Sequence, residues 1–234
     1  MSSVIYRRIP ECDPALVAQA GKVAVADLHE SMGVIAGRQA LMDGSIRPLN
    51  PGLRIAGQAV TAYCFPGDGL LAHKAVSLIQ PGQILLISNG GSGPQTMFAE
   101  LIARALVAKG AIGAVVGGSA RDTEALRSMN FPLWARGVYP GHTEKSGPGS
   151  VNVPIVIGGV HVEPGDIIVA DDDGVICIPP SLMPAVLEKA AARAAREVKI
   201  RAAIDAGKVL FDLMGLQATL DAAGAQEIDS AWKD

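Results

Sequence analysis

Two hydrophobic rhythms alternate along this chain. Short runs with consecutive apolar positions, such as Gln83–Ser88 (QILLIS) and Ile112–Val116 (IGAVV), have the pattern of strands buried on both faces. Between them, apolar residues recur at helical spacing. Asp13-Pro14 caps a predicted helix that runs through Val23, Val25 and Leu28 to Ser31-Met32-Gly33. Leu70–Leu78 is predicted as a second helix, with Leu71, Ala75 and Leu78 on one side. Gln95–Lys109 is predicted as a third, with Phe98, Leu101, Ile102, Ala105 and Leu106 apolar and Gly110 as its stop.

Further strands are predicted at Arg54–Phe65, Leu133–Arg136, Val151–Ile157, Ile167–Ala170 and Val175–Ile178. Pro164-Gly165-Asp166 and Asp173-Gly174, lying between the last three, point to hairpins. A short helix is expected from Asp122, a long one from Ser181 to about Ala206, and a last helical piece from Val209 to about Ala222. Strand, glycine loop, helix and strand over residues 83–116 form a parallel βαβ unit. One mixed α/β domain over residues 1–234, with helices 181–222 as a terminal arm, is the expected organisation.

Composition narrows the function. The 234 residues carry 20 basic and 23 acidic side chains, for a net charge of −3. Nucleic-acid binders carry a basic footprint, and single-strand binders stack bases on aromatics. With two Trp, three Tyr and four Phe, neither is expected here. No apolar run approaches the ~18 residues that span a bilayer. Cys12, Cys64 and Cys177 lie more than fifty residues apart, which reads as three buried, reduced thiols in a cytoplasmic protein.

Familiar catalytic motifs are missing. His29-Glu30 lacks a second histidine four residues on, and neither a G-x-S-x-G elbow nor a phosphate loop occurs. Two glycine clusters remain. Gly90–Gly93 precedes a helix, where free N–H groups suit an anion, although a tight turn is the better explanation. Gly117-Gly118 is expected to turn the chain after a strand into Arg121-Asp122. In open α/β sheets ligands gather at the carboxyl ends of strands. Arginine offers a fork for a carboxylate, and aspartate offers hard oxygens for Mg²⁺. Glu100 precedes the pair in a Glu-x20-Arg-Asp spacing. Helix and return strand would bring it to the same sheet edge. The Asp171-Asp172-Asp173-Gly174 run reads as a turn, not a metal site.

These stretches together resemble a known family. Ala24–Gly33 (AVADLHESMG), the acid-x20-Arg-Asp motif, Phe131–Gly137 (FPLWARG), Gly149–Pro154 (GSVNVP), Pro164–Val175 (PGDIIVADDDGV) and Asp212–Gly215 (DLMG) occur in the order and spacing of one enzyme group. It comprises the class II, metal-dependent pyruvate aldolases of 4-hydroxy-4-methyl-2-oxoglutarate and 4-carboxy-4-hydroxy-2-oxoadipate. They share a fold with the regulator of ribonuclease activity A. The resemblance implies a compact sandwich of the swivelling β/β/α type, assembled as trimers or hexamers. It implies that Asp122 ligates Mg²⁺ or Mn²⁺ and that Arg121 binds the pyruvyl end. Backbone N–H groups around Met97, Phe98, Ala99 and Glu100 would hold the pyruvyl carboxylate. Glu100, with Glu30 and Glu197 from across a subunit interface, would poise a water of the metal's shell to protonate C3.

Two positions depart from the family pattern. Glu100 stands where Asp is common, and Gly117 where an acid is frequent. The implied reaction is retro-aldol cleavage of a 4-hydroxy-2-oxo acid to pyruvate, with oxaloacetate decarboxylation as a side activity. A lysine Schiff base is the competing aldolase chemistry, but nothing in the sequence marks Lys74, Lys109 or Lys145 as desolvated. The rival readings are a non-catalytic protein that inhibits ribonuclease complexes and a related lyase on another oxo acid. Asp122 argues against the inhibitor, because that branch tends to lose the acid after the arginine.

Overall fold

A computed structural model describes residues 3–91 and 95–233. In chain order the elements are β1 (Val4–Ile5), α1 (Pro14–Ala20), α2 (Val25–Met32), α3 (Val34–Ala40), β2 (Arg47–Pro48), β3 (Ile55–Cys64) and α4 (Leu70–Leu78). There follow β4 (Gln83–Ser88), β5 (Thr96–Phe98), α5 (Glu100–Ala108), β6 (Gly113–Ala120), α6 (Thr123–Ser128) and β7 (Leu133–Val138). Then come β8 (Gly149–Val151), β9 (Ile155–Ile157), β10 (Val160–Val162), β11 (Ile167–Ala170) and β12 (Val175–Ile178). Three helices follow: α7 (Met183–Asp205), α8 (Leu210–Leu213) and α9 (Gln217–Ala222).

Among the described residues ten strands form one mixed sheet, with the central order β1-β8-β3-β4-β6-β7-β2. Strands β3, β4, β6 and β7 run parallel, and β5 adds to β6 in the same sense. Antiparallel pairing ties β11 to β3 and to β12, while β9 and β10 form a separate hairpin. Alternation along β4 divides the interior. Leu85 and Ile87 face helices α4 and α5, and Ile84 and Leu86 face the β9–β10 side. Because both faces are covered, the strand can be apolar throughout. A third cluster packs α1, α2 and α3 on β11 and β12.

Several predicted boundaries shift. The first helix is broken at Gly21-Lys22, and α2 starts afresh where the buried Asp171 carboxylate accepts the Val25 N–H at 3.0 Å. Gln95–Phe98 is not helical. Three of those residues pair with β6, and the helix begins only at Glu100. Gly117 and Gly118 do not turn the chain; both lie buried inside β6, which continues to Ala120. The strand expected at Val151–Ile157 divides at Asn152, whose backbone is left-handed, into β8 and β9. Only the β11–β12 hairpin forms as expected, since β9 pairs with the unpredicted β10. Asp171 accepts the Asp173 N–H within that turn, while Asp171 and Asp172 also accept the N–H groups of Val25 and Gly52 from outside it. Part of the Gly90–Gly93 loop lies outside the described residues.

All three cysteines are free thiols, but Cys12 is only partly buried. Burial pushes the Cys64 thiol up to about 12. Among the described residues no helix is long and apolar enough to cross a membrane. The chain divides into two compact units, Met1–Ala190 and Ala191–Asp234, with the boundary inside α7.

Candidate active site at the carboxyl end of β6

The site grows from the place where β6 ends. The Arg121 N–H donates to the Phe98 carbonyl at 3.0 Å, and β6 pairs with β5 through Ala120 and Phe98. This close approach depends on Gly118: a Cβ there would stand 3.0 Å from Met97 Sδ. Fully buried, Phe98 stacks on Phe131 with centroids 5.6 Å apart and anchors β5 from below. Thr96 adds a hydrogen bond from its hydroxyl to the Tyr139 carbonyl.

Asp122 then takes a left-handed backbone, φ 58° and ψ 38°, at the start of α6. That conformation costs about 1–2 kcal/mol for most residues, with Asp and Asn the best tolerated after glycine. Its carboxylate does not cap its own helix. Instead Oδ2 accepts the Glu100 N–H at 3.4 Å, while Oδ1 lies 3.9 Å from Arg121 Nε. Arg121 Nε is buried without a hydrogen-bond partner. A buried donor left unpaired costs about 1–3 kcal/mol, so it is an obvious place for a ligand acceptor.

A cavity of about 120 Å³ opens here, lined on one side by Thr96–Ala99, Arg121 and Asp122. At the head of α5, Ala99 has no side chain able to cap the helix. Of the first-turn N–H groups, that of Glu100 goes to Asp122 and those of Ile102 and Ala103 to the Ala99 carbonyl, which leaves the Leu101 N–H to suit an anion. Met97 and Phe98 line the cavity although both are almost wholly buried.

The expected residues are only partly brought together. Arg121, Asp122 and the residues Met97–Ala99 share the cavity. Glu100 sits beside Asp122 through its N–H, but its carboxylate turns along α5 to accept Arg104 Nε at 2.7 Å. Glu30, exposed on α2, is not among the cavity's lining residues. Glu197 lies in the second unit, 2.8 Å from Arg193 and 3.1 Å from Arg201. The Gly117 departure does not touch the cavity wall: a Cβ there would face Ile157 of β9 at 3.2 Å.

The other wall was not foreseen. With Leu101 and Ile102 of α5, Gly69 and His73 of the α4 region and His142, Thr143 and Lys145 after β7 complete the lining. Asp68 joins these two segments, accepting the N–H groups of Leu70, Ser146 and Gly147 at 2.8, 2.6 and 2.7 Å. Although burial pushes the Asp68 carboxyl up, these N–H groups and the Lys145 charge hold it below its ordinary 3.8. Loss of water, and then the Lys145 ammonium, lower His73 from its ordinary 6.5. In the sequence His73 is a lone histidine on the polar side of a helix, and no spacing singles it out.

The donor set fits a hard divalent cation. Mg²⁺ commonly binds one or two carboxylates and keeps several waters, and Asp122 presents one exposed carboxylate to the cavity. Among the described residues no group of three or more His, Cys, Asp or Glu forms a cage, so the chain alone would leave most positions to water or substrate.

Comparison with known proteins gives the family. The RraA-like family profile (Aldolase/RraA) matches residues 25–177. A Halalkalibacterium halodurans protein is 36% identical over 149 residues, 64% of this chain and 71% of that one. The 4-hydroxy-4-methyl-2-oxoglutarate aldolase of Thermus thermophilus is 37% identical over 126 residues, 54% of this chain and 76% of that one. Streptomyces coelicolor RraAS2, described as an unusual member of the RNase ES inhibitor RraA protein family, superposes with a TM-score of 0.74 at 28% identity. That match covers 83% of this chain and 99% of the other. With its profile matched across both strand-borne halves of the site, the chain belongs to the RraA-like aldolase family.

Proposed function

We propose that this protein is a divalent-metal-dependent carbon–carbon lyase that releases pyruvate from a 4-hydroxy-2-oxo di- or tricarboxylic acid. The 4-hydroxy-4-methyl-2-oxoglutarate and 4-carboxy-4-hydroxy-2-oxoadipate types are the substrates meant, with oxaloacetate decarboxylation as a side activity. One observation carries the reading: Arg121 Nε is buried without a hydrogen-bond partner beside a carboxylate held in a left-handed turn. Relatives at 36–37% identity, one of them named as such an aldolase, point to the same chemistry.

Asp122 would hold Mg²⁺ or Mn²⁺, which when bound draws electrons from the 2-oxo group of the substrate. The N–H groups between β5 and α5 receive the pyruvyl carboxylate. Arg121 lies where charge collects on the 2-oxo oxygen as the C3–C4 bond breaks and its electron pair moves toward that group. The C4 hydroxyl loses its proton, the C4 fragment leaves as a carbonyl compound, and C3 is protonated to give pyruvate. For Glu100 to act on that proton, its carboxylate must first release Arg104. Glu30 and Glu197 enter the reading from a second copy of the chain, in a trimer or hexamer with the pocket at the subunit interface. The layering of helices, sheet and β9–β10 hairpin is in keeping with the swivelling β/β/α type.

The test is pyruvate release from both substrate types with Mg²⁺, with excess chelator, and from Asp122→Ala. Loss under chelator and in the variant is expected. Pyruvate formation that survives both rules the metal mechanism out. A second reading, a protein that inhibits a ribonuclease, is favoured by the likeness to RraAS2. Tight capture of a ribonuclease, together with no lyase activity on the oxo-acid panel, would replace the first reading with the second.

A further inference from the structure

The cavity has two walls of different chemistry. On the first, Arg121 and Asp122 stand beside the start of α5, which no side chain caps. On the second, α4 supplies His73, and the segment after β7 supplies His142, Thr143 and Lys145. Among the described lining residues Asp122 is the only carboxylate, against an arginine, a lysine and two imidazoles. Among the described residues no carboxylate oxygen lies within 4.0 Å of the Lys145 ammonium, and no hydrogen bond occupies the His73 ring. Both side chains are exposed, so their nitrogens are open to a ligand, and the backbone beneath them is firmly tied. The Asp68 carboxylate binds three N–H groups of the two segments, the Gly69 N–H donates to the Glu144 carbonyl, and the Glu144 N–H donates to that of Gly67. A rigid seat of donors, separate from the Arg121 wall, suits a second anionic group on the same ligand.

We propose that Lys145, positioned with His73 by the Asp68 clasp, binds the distal carboxylate of the substrate and selects oxo-dicarboxylates over oxo-monocarboxylates. The inference rests on the pyruvyl end occupying the Arg121 wall, as proposed above. It assigns recognition of the far end to this chain's own α4 and post-β7 segment. Lys145 touches the substrate carboxylate as a point charge, and His73 donates one ring N–H to it. Thr143 and His142 complete the rim.

Two probes that cannot undergo retro-aldol cleavage separate the ends. 2-Oxoglutarate and 2-oxopentanoate share the 2-oxo acid head and the five-carbon chain, and only the first has a distal carboxylate. Titration calorimetry with Mg²⁺ present is expected to show 2-oxoglutarate binding at least tenfold tighter to the native protein. In Lys145→Met that ratio is expected to fall to near one, and Lys145→Arg to restore most of it. His73→Gln is expected to reduce the ratio by a smaller factor. Lys145 is exposed, so its replacement leaves the core intact, and unchanged thermal midpoints check this directly. A ratio near one in the native protein, or an unchanged ratio in Lys145→Met, overturns the subsite. The expected ratios in a protein that releases no pyruvate would retain the subsite and remove the lyase reading. Pyruvate release with an unaltered ratio in Lys145→Met does the reverse.

Discussion

Asp122 and Glu197 are both carboxylates flanked by arginine, yet the protein places them by different means. Glu197 is set by helix periodicity alone: Arg193 and Arg201, one turn on either side, reach it at 2.8 and 3.1 Å. Asp122 has one adjacent arginine at a loose 3.9 Å, and its oxygen is met by an N–H 22 residues away in sequence. Beneath it lie β5, the Phe98–Phe131 stack and the glycine that lets the two strands approach. In Ala191–Asp234, by contrast, no described residue is buried, and Val198, Leu210, Met214 and Trp232 are exposed. A carboxylate held by local pairs is already neutralised. One held by distant packing in a left-handed turn keeps its charge available for a ligand.

The sharpest way to break this contrast is to remove the packing under Asp122. Phe98→Ala is expected to cost about 3–5 kcal/mol in denaturant unfolding, as a fully buried ring deletion does. Activity should fall below what residual folding explains if, as proposed, the N–H groups between β5 and α5 receive the pyruvyl carboxylate. If Phe98→Ala matches a surface substitution in stability, the site does not depend on that stack.

Next is Asp122→Asn, which keeps a residue tolerant of the left-handed turn and removes only charge. Pyruvate release is expected to fall at least about 100-fold, with the unfolding midpoint nearly unchanged. A large loss of stability would instead make Asp122 structural.

Asp68→Asn probes the wall opposite. Replacing an ion that accepts three backbone N–H groups should cost about 1–3 kcal/mol. The folded state holds this carboxyl below its ordinary 3.8, so its contribution is full above that value. It is lost as the pH falls through the lower folded value. The native protein should therefore lose stability below about pH 3.8 more steeply than Asp68→Asn does.

Smallest is Glu197→Gln, which removes two one-turn pairs worth about 0.2–0.5 kcal/mol each. Thermal unfolding should barely move. A fall in pyruvate release of tenfold or more would then give Glu197 a role in a neighbouring copy's pocket, and an unchanged rate would leave it a helix-pairing residue.

Much of the fold was legible because its determinants are local. Leu70–Leu78 and Gln83–Ser88 form the predicted elements at the predicted bounds, since periodicity and flanking turn residues both specify them. Thr96–Phe98 misled for the opposite reason. Phe98 falls in step with Leu101, Ile102 and Leu106, which suits one helix face, but pairing with β6 outweighs that local preference. Gly117 and Gly118 misled in the same way. Their service is to admit Ile157 on one side and Met97 on the other, not to turn the chain.

By itself the sequence determined the βαβ core, the Arg121-Asp122 pair after a parallel strand, and membership of the aldolase family through the order of its motifs. These follow from neighbours a few residues apart and from patterns that survive without coordinates. Only the tertiary structure decided that Glu100 offers Asp122 an N–H while its carboxylate pairs with Arg104. Only there do His73 and Lys145, 72 positions apart, share a cavity wall clasped by Asp68. Contacts of that kind depend on where whole elements pack, and no spacing along the chain encodes them.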